Sequence, residues 1–193
     1  MKVTEDSGRH SARRARSEKA ILDAARELIS ERGVDGLTIE GVAERSGVAK
    51  TTIYRRWRDK DELALAILVD ATANIGAPAD LGDTRKELLT FLKTAKSVIR
   101  PGGVAQGLAS DIATNPHLGR IYREEIVDVR RAEMKEIVDR GVARGDLRPG
   151  IDIRVAHELL IGPLYYRLLF SGAPLDTKHS NQIVDAFLRA FAP

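Results

Sequence analysis

Apolar residues in this chain recur at helical spacing and nowhere alternate over the length of a strand. Ile21, Ala24, Ala25, Leu28 and Ile29 follow the i, i+3, i+4, i+7, i+8 pattern that lays one apolar stripe along an α-helix. Between such stripes stand the usual helix breaks: Gly33, Ser46-Gly47, Pro101-Gly102-Gly103, Asn115-Pro116, Gly145 and Pro149-Gly150. The chain therefore reads as all-α, with about nine helices and no internal repeat.

Residues 1–10 read as a flexible arm, and Arg9, Arg13, Arg14 and Arg16 add positive charge where the first helix begins. Thr38 is the expected cap of a short second helix with Val42 and Ala43 facing inward. A third helix is expected from about Ala49 to Arg58. Asp59 and Glu62 have capping-box spacing, so a fourth should start at Lys60. The Gly76–Gly82 stretch, with Pro78, reads as a connection, and Asp83 or Thr84 opens the next helix. One helix precedes Asn115-Pro116. A long one from about His117 to Ala143 carries Leu118, Ile121, Tyr122, Ile126, Val129, Ile137 and Val138. Asp152 caps an apolar helix through about Phe170, in which Gly162-Pro163 should introduce a kink. The last helix starts at Asp176 or Thr177. We divide the chain into an N-terminal domain, residues 1–60, and a helical domain, residues 61–193.

Composition excludes several classes. There is no cysteine, so disulfide and thiolate chemistry are absent. The polar, basic N-terminus does not read as a signal peptide, and the apolar run Leu63–Val69 is too short to span a membrane. A cytoplasmic location and no membrane partner are expected. His10, His117, His157 and His179 are scattered, without a metal-ligand pair. No nucleophile elbow, phosphate loop or dinucleotide fingerprint occurs, so no metal, cofactor or enzymatic activity is expected.

Charge is unevenly placed. Residues 1–60 hold 14 Lys/Arg against 10 Asp/Glu, while the remainder holds 17 against 18. The excess belongs to the first third, where an anionic partner would bind. It is densest in GVAKTTIYRRWRDKDEL, residues 47–63. With successive residues about 100° apart on a helix, Ile53 and Trp57 share the buried face and Arg55 lies opposite. Thr51 and Thr52 flank Arg55, and Tyr54 and Arg56 occupy the shoulders. One bidentate donor between two methyl-bearing hydroxyls suits the edges of bases in a DNA major groove, and the shoulders suit phosphates. Lys60 and the first amides of the fourth helix add an anion site. Ala43, Gly47 and Ile53 stand where a helix-turn-helix needs a small residue, a turn glycine and an apolar lock.

The stretch AILDAARELISERGVDGLTIEGVAERSGVAKTTIYRRWRDKDELALAIL resembles the N-terminal domain of the tetracycline-repressor (TetR) family of bacterial transcription regulators, over about residues 13–70. The resemblance implies DNA contacts at Thr51, Thr52, Tyr54, Arg55 and Arg56, a phosphate-binding lysine at Lys60, and further contacts at Lys50 and Thr38. Arg56-Trp57 replaces the His-Phe of many members, and Glu40 stands where some carry a basic contact residue. The segment GDLRPGIDIRVAHELLIGPLYYRLLFSGAPLD is similar to the C-terminal region of one broad subgroup.

The family implies a regulator, by default a repressor, that binds a pseudo-palindromic DNA operator as a homodimer and is released by a small-molecule effector whose identity the sequence does not reveal. Pocket candidates are Phe91, Ile112, Tyr122, Met134, His157 and Tyr165, each more readily read as ordinary core than as a ligand contact. His157, Leu160, Ile161, Leu164, Tyr165 and Leu168 form one stripe, while Leu159, Tyr166, Leu169 and Phe170 carry apolar character around the same helix, which calls for a partner. Tyr166, Phe170, Ile183, Phe187 and Phe191 are the expected dimer interface. The alternative reading is a helical adaptor whose basic N-terminal domain binds an acidic protein or an anionic surface.

Overall fold

The computed structural model describes residues 3–73 and 78–193, with side chains from residue 12 onward. Part of the expected connection, residues 76 and 77, lies outside the described residues, as do the side chains of Arg9 and His10. The described residues form helices and no strand. They divide into two compact units, the first ending at Leu68 and the second beginning at Val69.

In the first unit α1 (Val3–Arg32) starts far earlier than expected. The supposed arm is helical from Val3 because residues 3–16 contain no proline, and the lone Gly8 costs only about 1 kcal/mol in a helix. Ile21, Ala24, Ala25, Leu28 and Ile29 are all buried. At Gly33 the backbone turns left-handed, φ 73°. Helix α2 (Ile39–Ser46) is capped by Thr38, whose Oγ1 accepts from the Gly41 amide at 3.1 Å. It lies close on α1: a Cβ at Gly41 would sit 3.3 Å from Leu28 Cδ1. Gly47 makes the left-handed turn into α3 (Lys50–Tyr54).

Helix α4 (Lys60–Ala73) is capped by Asp59, whose Oδ1 accepts from the Asp61 and Glu62 amides. The carboxylate of Glu62 turns back to the Arg58 amide at 2.8 Å, completing the expected exchange one residue upstream of its usual place. Leu63, Ala64, Leu65, Ile67 and Leu68 are buried, so the first unit continues past residue 60, where the sequence break was drawn.

The second unit contains α5 (Thr84–Val98), the short α6 (Val104–Gly107) and α7 (Ala109–Thr114), α8 (residues 116–144), α9 (residues 153–171) and α10 (Thr177–Ala190). The single helix expected before Asn115 is thus two pieces, which raises the number of helices among the described residues to ten. Asp83, Asn115, Asp152 and Asp176 each accept amide hydrogen bonds as N-caps. Two helices contain a π turn: Arg123–Val127 in α8 and Arg167–Ser171 in α9. Pro163 lies inside α9, which runs on beyond it.

The π turn in α8 changes which residues face inward. An uninterrupted helix from Leu118 would bring Val129 onto the buried side, but the wider turn advances the register by one. Ile126, Arg130, Met134, Ile137 and Val138 are buried and Val129 is exposed. The core of this unit joins Leu88, Phe91 and Leu92 of α5, Met134 and Ile137 of α8, Leu160 and Leu164 of α9, and Val184 of α10. Ile183, Phe187 and Phe191 belong to it as well, and Ile183 and Phe187 also line a groove beside α9. They occupy the inward stripe of the amphipathic α10, so packing within the chain covers most of their surface.

Candidate nucleic-acid interface

The α2–turn–α3 hairpin presents a short reading helix held from behind. Ile53 is fully buried and Trp57 is 8% exposed, as the wheel requires. Thr51, Tyr54 and Arg55 are exposed on the opposite side, with Thr52 half-buried. Among the described residues, the side chains of Thr51, Thr52, Tyr54, Arg55 and Lys60 make no intramolecular hydrogen bond or ion pair. Their donors remain available to a ligand. Thr38 is exposed, and because its Oγ1 accepts the capping bond, its hydroxyl proton can still be donated.

Two expected contacts are placed differently. Helix α3 ends at Tyr54, and a tighter turn follows in which the Arg56 amide donates to the Ile53 carbonyl at 2.9 Å. Arg56 leaves the helix on the shoulder that faces α1, and its side chain is only 10% exposed. Its Nη2 donates to the Arg14 carbonyl at 2.9 Å and to Ser17 Oγ at 3.0 Å. Arg56 is thus a tether between the end of α3 and α1, not a phosphate donor on the shoulder. The amides of Asp61 and Glu62 already donate to Asp59. The anion site expected at the start of α4 accordingly reduces to the half-buried Lys60.

Lys50 is not an isolated cation. Its Nζ donates to Glu40 Oε1 at 2.7 Å. The Lys50 contact holds the Glu40 carboxyl below the usual carboxylate range. Arg45, on the same short helix as Glu40, makes a two-pronged pair with Glu31 of α1 at 2.7 and 2.9 Å.

In the second unit the pocket candidates fall into two groups. Phe91 and Met134 are core residues, and His157 is buried edge-on to the Phe91 ring, 6.2 Å between centroids. Burial first, and then the Arg131 and Arg130 charges, pull the His157 pKa down to about 4. Arg130 stacks its guanidinium 4.4 Å from the Phe91 centroid, donates to Thr94 Oγ1 at 2.9 Å and pairs with Glu133. The hydroxyls of Tyr122 and Tyr165 form a second group, in contact at 2.5 Å. Burial raises the pKa of both phenols. Ile112, half-buried on α7, joins neither group.

On the outer side of α9, Tyr166 is 62% and Phe170 77% exposed, with ring centroids 6.0 Å apart. Val155 and Leu159 continue this exposed apolar row. Beside it runs a groove of about 560 Å³ lined by Leu159, Pro163, Arg167, Gln182, Ala186 and Ala190, among others.

Residues 21–67 match the family model described as bacterial regulatory proteins, tetR family, and residues 78–187 match tetracyclin repressor-like, C-terminal domain. The chain belongs to the TetR family. It is 32% identical over 176 residues to the HTH-type transcriptional regulator YdeS of Bacillus subtilis (strain 168), covering 90% of this chain and 87% of YdeS. It is 27% identical over 172 residues to the DNA-binding transcriptional repressor TetR of Mycobacteroides abscessus, covering 88% of this chain and 90% of that one. Among solved structures, the TetR family transcription regulator SCO0332 superposes with a TM-score of 0.77 at 33% identity, over 92% of this chain and 99% of that one.

This TetR-family chain is a DNA-binding transcriptional regulator, and the adaptor reading finds no support among these relatives. Among the described residues of this TetR-family protein, no helix is long and apolar enough to cross a membrane. Sequence reasoning missed Arg130 and Glu133. Arg130 precedes Met134 by four residues and Ile137 by seven, so it stands on the buried stripe of α8, a signal readable once that stripe is anchored at its C-terminal half.

Proposed function

We propose that the chain is a repressor that binds a pseudo-palindromic operator as a homodimer and leaves it when a small molecule occupies the helical second unit. The observation that carries the DNA half of this reading is the reading face itself. Arg55 stands exposed with Thr51 and Thr52 beside it, all without intramolecular side-chain partners among the described residues. Arg55 would read guanine with two parallel donors, the threonine methyls would meet thymine, and Tyr54, Lys60 and Thr38 would donate to phosphates. The relatives support the role, and the M. abscessus protein carries repressor in its name.

The test is selection of bound sequences from a random duplex pool, followed by titration of the enriched site against salt. A two-fold related consensus is expected, with half-sites about one helical turn or a multiple apart and affinity that falls steeply with salt. A pool without enrichment would refute the operator reading. Arg55→Ala should lose about 1–3 kcal/mol of discrimination at one base position of each half-site, with little change in binding to random DNA.

The exposed Tyr166–Phe170 row and the adjoining groove support dimerisation through α9 and α10. Two large aromatic rings left in water beside a groove edged by Ala186 and Ala190 invite the same face of a second copy, related by a two-fold axis. Phe170→Asp places a charge in that contact and is expected to shift sedimentation from dimer to monomer while helix content stays constant. Unchanged sedimentation would move the interface elsewhere.

The effector reading rests on the mix of apolar and polar groups around Phe91, His157, Tyr122 and Tyr165, the usual composition of a small-molecule site. Such a ligand releases DNA only through its differential affinity for the bound and released conformations.

A further inference from the structure

A carboxylate on a surface that meets a polyanion is an anomaly. Glu40 lies in the first turn of α2, two residues after the Thr38 cap and close to Lys50 at the head of α3. Both Glu40 and Lys50 are exposed, with side chains 63% and 50% open to solvent. Neither is needed to fill the core. The pair is formed at 2.7 Å, and the Glu40 carboxyl is stabilised as the anion by Lys50 first and by its own backbone N–H second. The N-terminal end of a helix together with a lysine is what a phosphate oxygen would otherwise occupy. Here that place is taken from within the chain.

We propose that Glu40 is an internal stand-in for a DNA phosphate, held by Lys50 in the unbound protein and displaced from it when DNA binds. This rests on the DNA-binding reading above. Binding at Lys50 then exchanges one anion for another. Contact of Lys50 with a phosphate releases that phosphate's condensed cation, while the displaced Glu40 carboxylate beside the duplex keeps one, so the exchange releases little net salt. Glu40 thereby sets the strength of sequence-independent attachment without touching the base-reading side chains Thr51, Thr52 and Arg55.

The test is a double-mutant cycle read as affinity and as its salt dependence. Wild type, Glu40→Gln, Lys50→Gln and the double variant are titrated with the selected operator and with a random-sequence duplex between about 50 and 200 mM salt. Glu40→Gln is expected to tighten both complexes by the same factor and to steepen the slope of log K against log salt by about 0.9, the contribution of one phosphate contact. Lys50→Gln is expected to flatten the slope by about 0.9 in both backgrounds, yet to weaken binding less when Glu40 is present, because only the paired lysine must first leave its partner. Asp139→Asn on α8, paired with Lys135, makes the same change in net charge and is expected to leave the slope alone.

Equal weakening by Lys50→Gln in both backgrounds would overturn the proposal, as would weaker binding in Glu40→Gln. So would an equal effect from Asp139→Asn, which would reduce the result to net charge. A wild-type chain that binds neither duplex would instead refute the DNA-binding reading on which the proposal rests, and that outcome is visible before any variant is made.

Discussion

Replacement of Trp57 by alanine is expected to cost the first unit about 3–5 kcal/mol, the usual penalty for removing a buried aromatic side chain. Helix α3 comprises only Lys50–Tyr54, far too short to be stable by its own hydrogen bonds. It is held from behind by Ile53 and Trp57 and from its end by the Arg56 tether to Arg14 and Ser17. Without the indole, the turn after Tyr54 loses its apolar anchor, and the Trp57 amide bond to the Ile53 carbonyl opens with it. Hydrogen exchange should show lost protection across α2 and α3 and a matching loss of operator binding. Because Trp57 is the only tryptophan of the chain, the wild-type emission is a direct report on this unit. A variant with wild-type protection that has lost only DNA binding would place Trp57 on the reading surface and contradict its burial.

The second large effect is expected at Glu87. Its side chain is wholly buried on α5, yet it is engaged from two sides, by Arg140 at 2.8 Å and Arg144 at 3.0 Å. Its Oε1 also accepts from the Leu81 amide, and Arg140 reaches the Pro78 and Ala79 carbonyls. One carboxylate thus joins residues 78–81, α5 and α8. Removing one member of a buried pair leaves the other desolvated without compensation, which costs about 3–5 kcal/mol. Here the arginines are a fifth to a quarter exposed and keep Asp80 and Asp146. Glu87→Ala is therefore expected near the low end, about 3 kcal/mol, seen as a lower urea midpoint at constant slope. Glu87→Gln keeps the shape and some hydrogen bonds and should fall between. A loss below about 1 kcal/mol would mean that Asp80 and Asp146 satisfy both arginines unaided.

Much of this was legible in the residues, for identifiable reasons. Short-range rules held where they depend only on neighbours: Thr38, Asp152 and Asp176 cap their helices, and Ile53 and Trp57 face inward. The failures share a cause. The wheel puts Arg56 on a shoulder but does not say which neighbour that shoulder meets, and in the fold it meets Arg14 and Ser17 of α1. Val129 and Arg130 exchanged places because a π turn lies upstream, and no propensity rule locates one. Ile183, Phe187 and Phe191 are indistinguishable from Tyr166 and Phe170 by composition. The packing of α5, α8 and α9 against α10 decides that the first three are largely covered within the chain and the last two are not. The Glu40–Lys50 pair joins residues ten apart, beyond any single-helix spacing.

The π turns at Arg123–Val127 and Arg167–Ser171 have a consequence for the length of the chain. A turn closed by i to i+5 bonds holds one residue more than the α-helical turn it replaces. Each is therefore a stored insertion, kept within a helix instead of being expelled into a loop. Deleting one residue from either turn would relax it to ordinary helix with the same faces buried downstream, whereas the same deletion in α5 would rotate Leu92 and Ala95 away from the core. These two places can absorb a change in residue number without a change in fold, and each directly follows a member of the Tyr122–Tyr165 pair or its neighbour Tyr166.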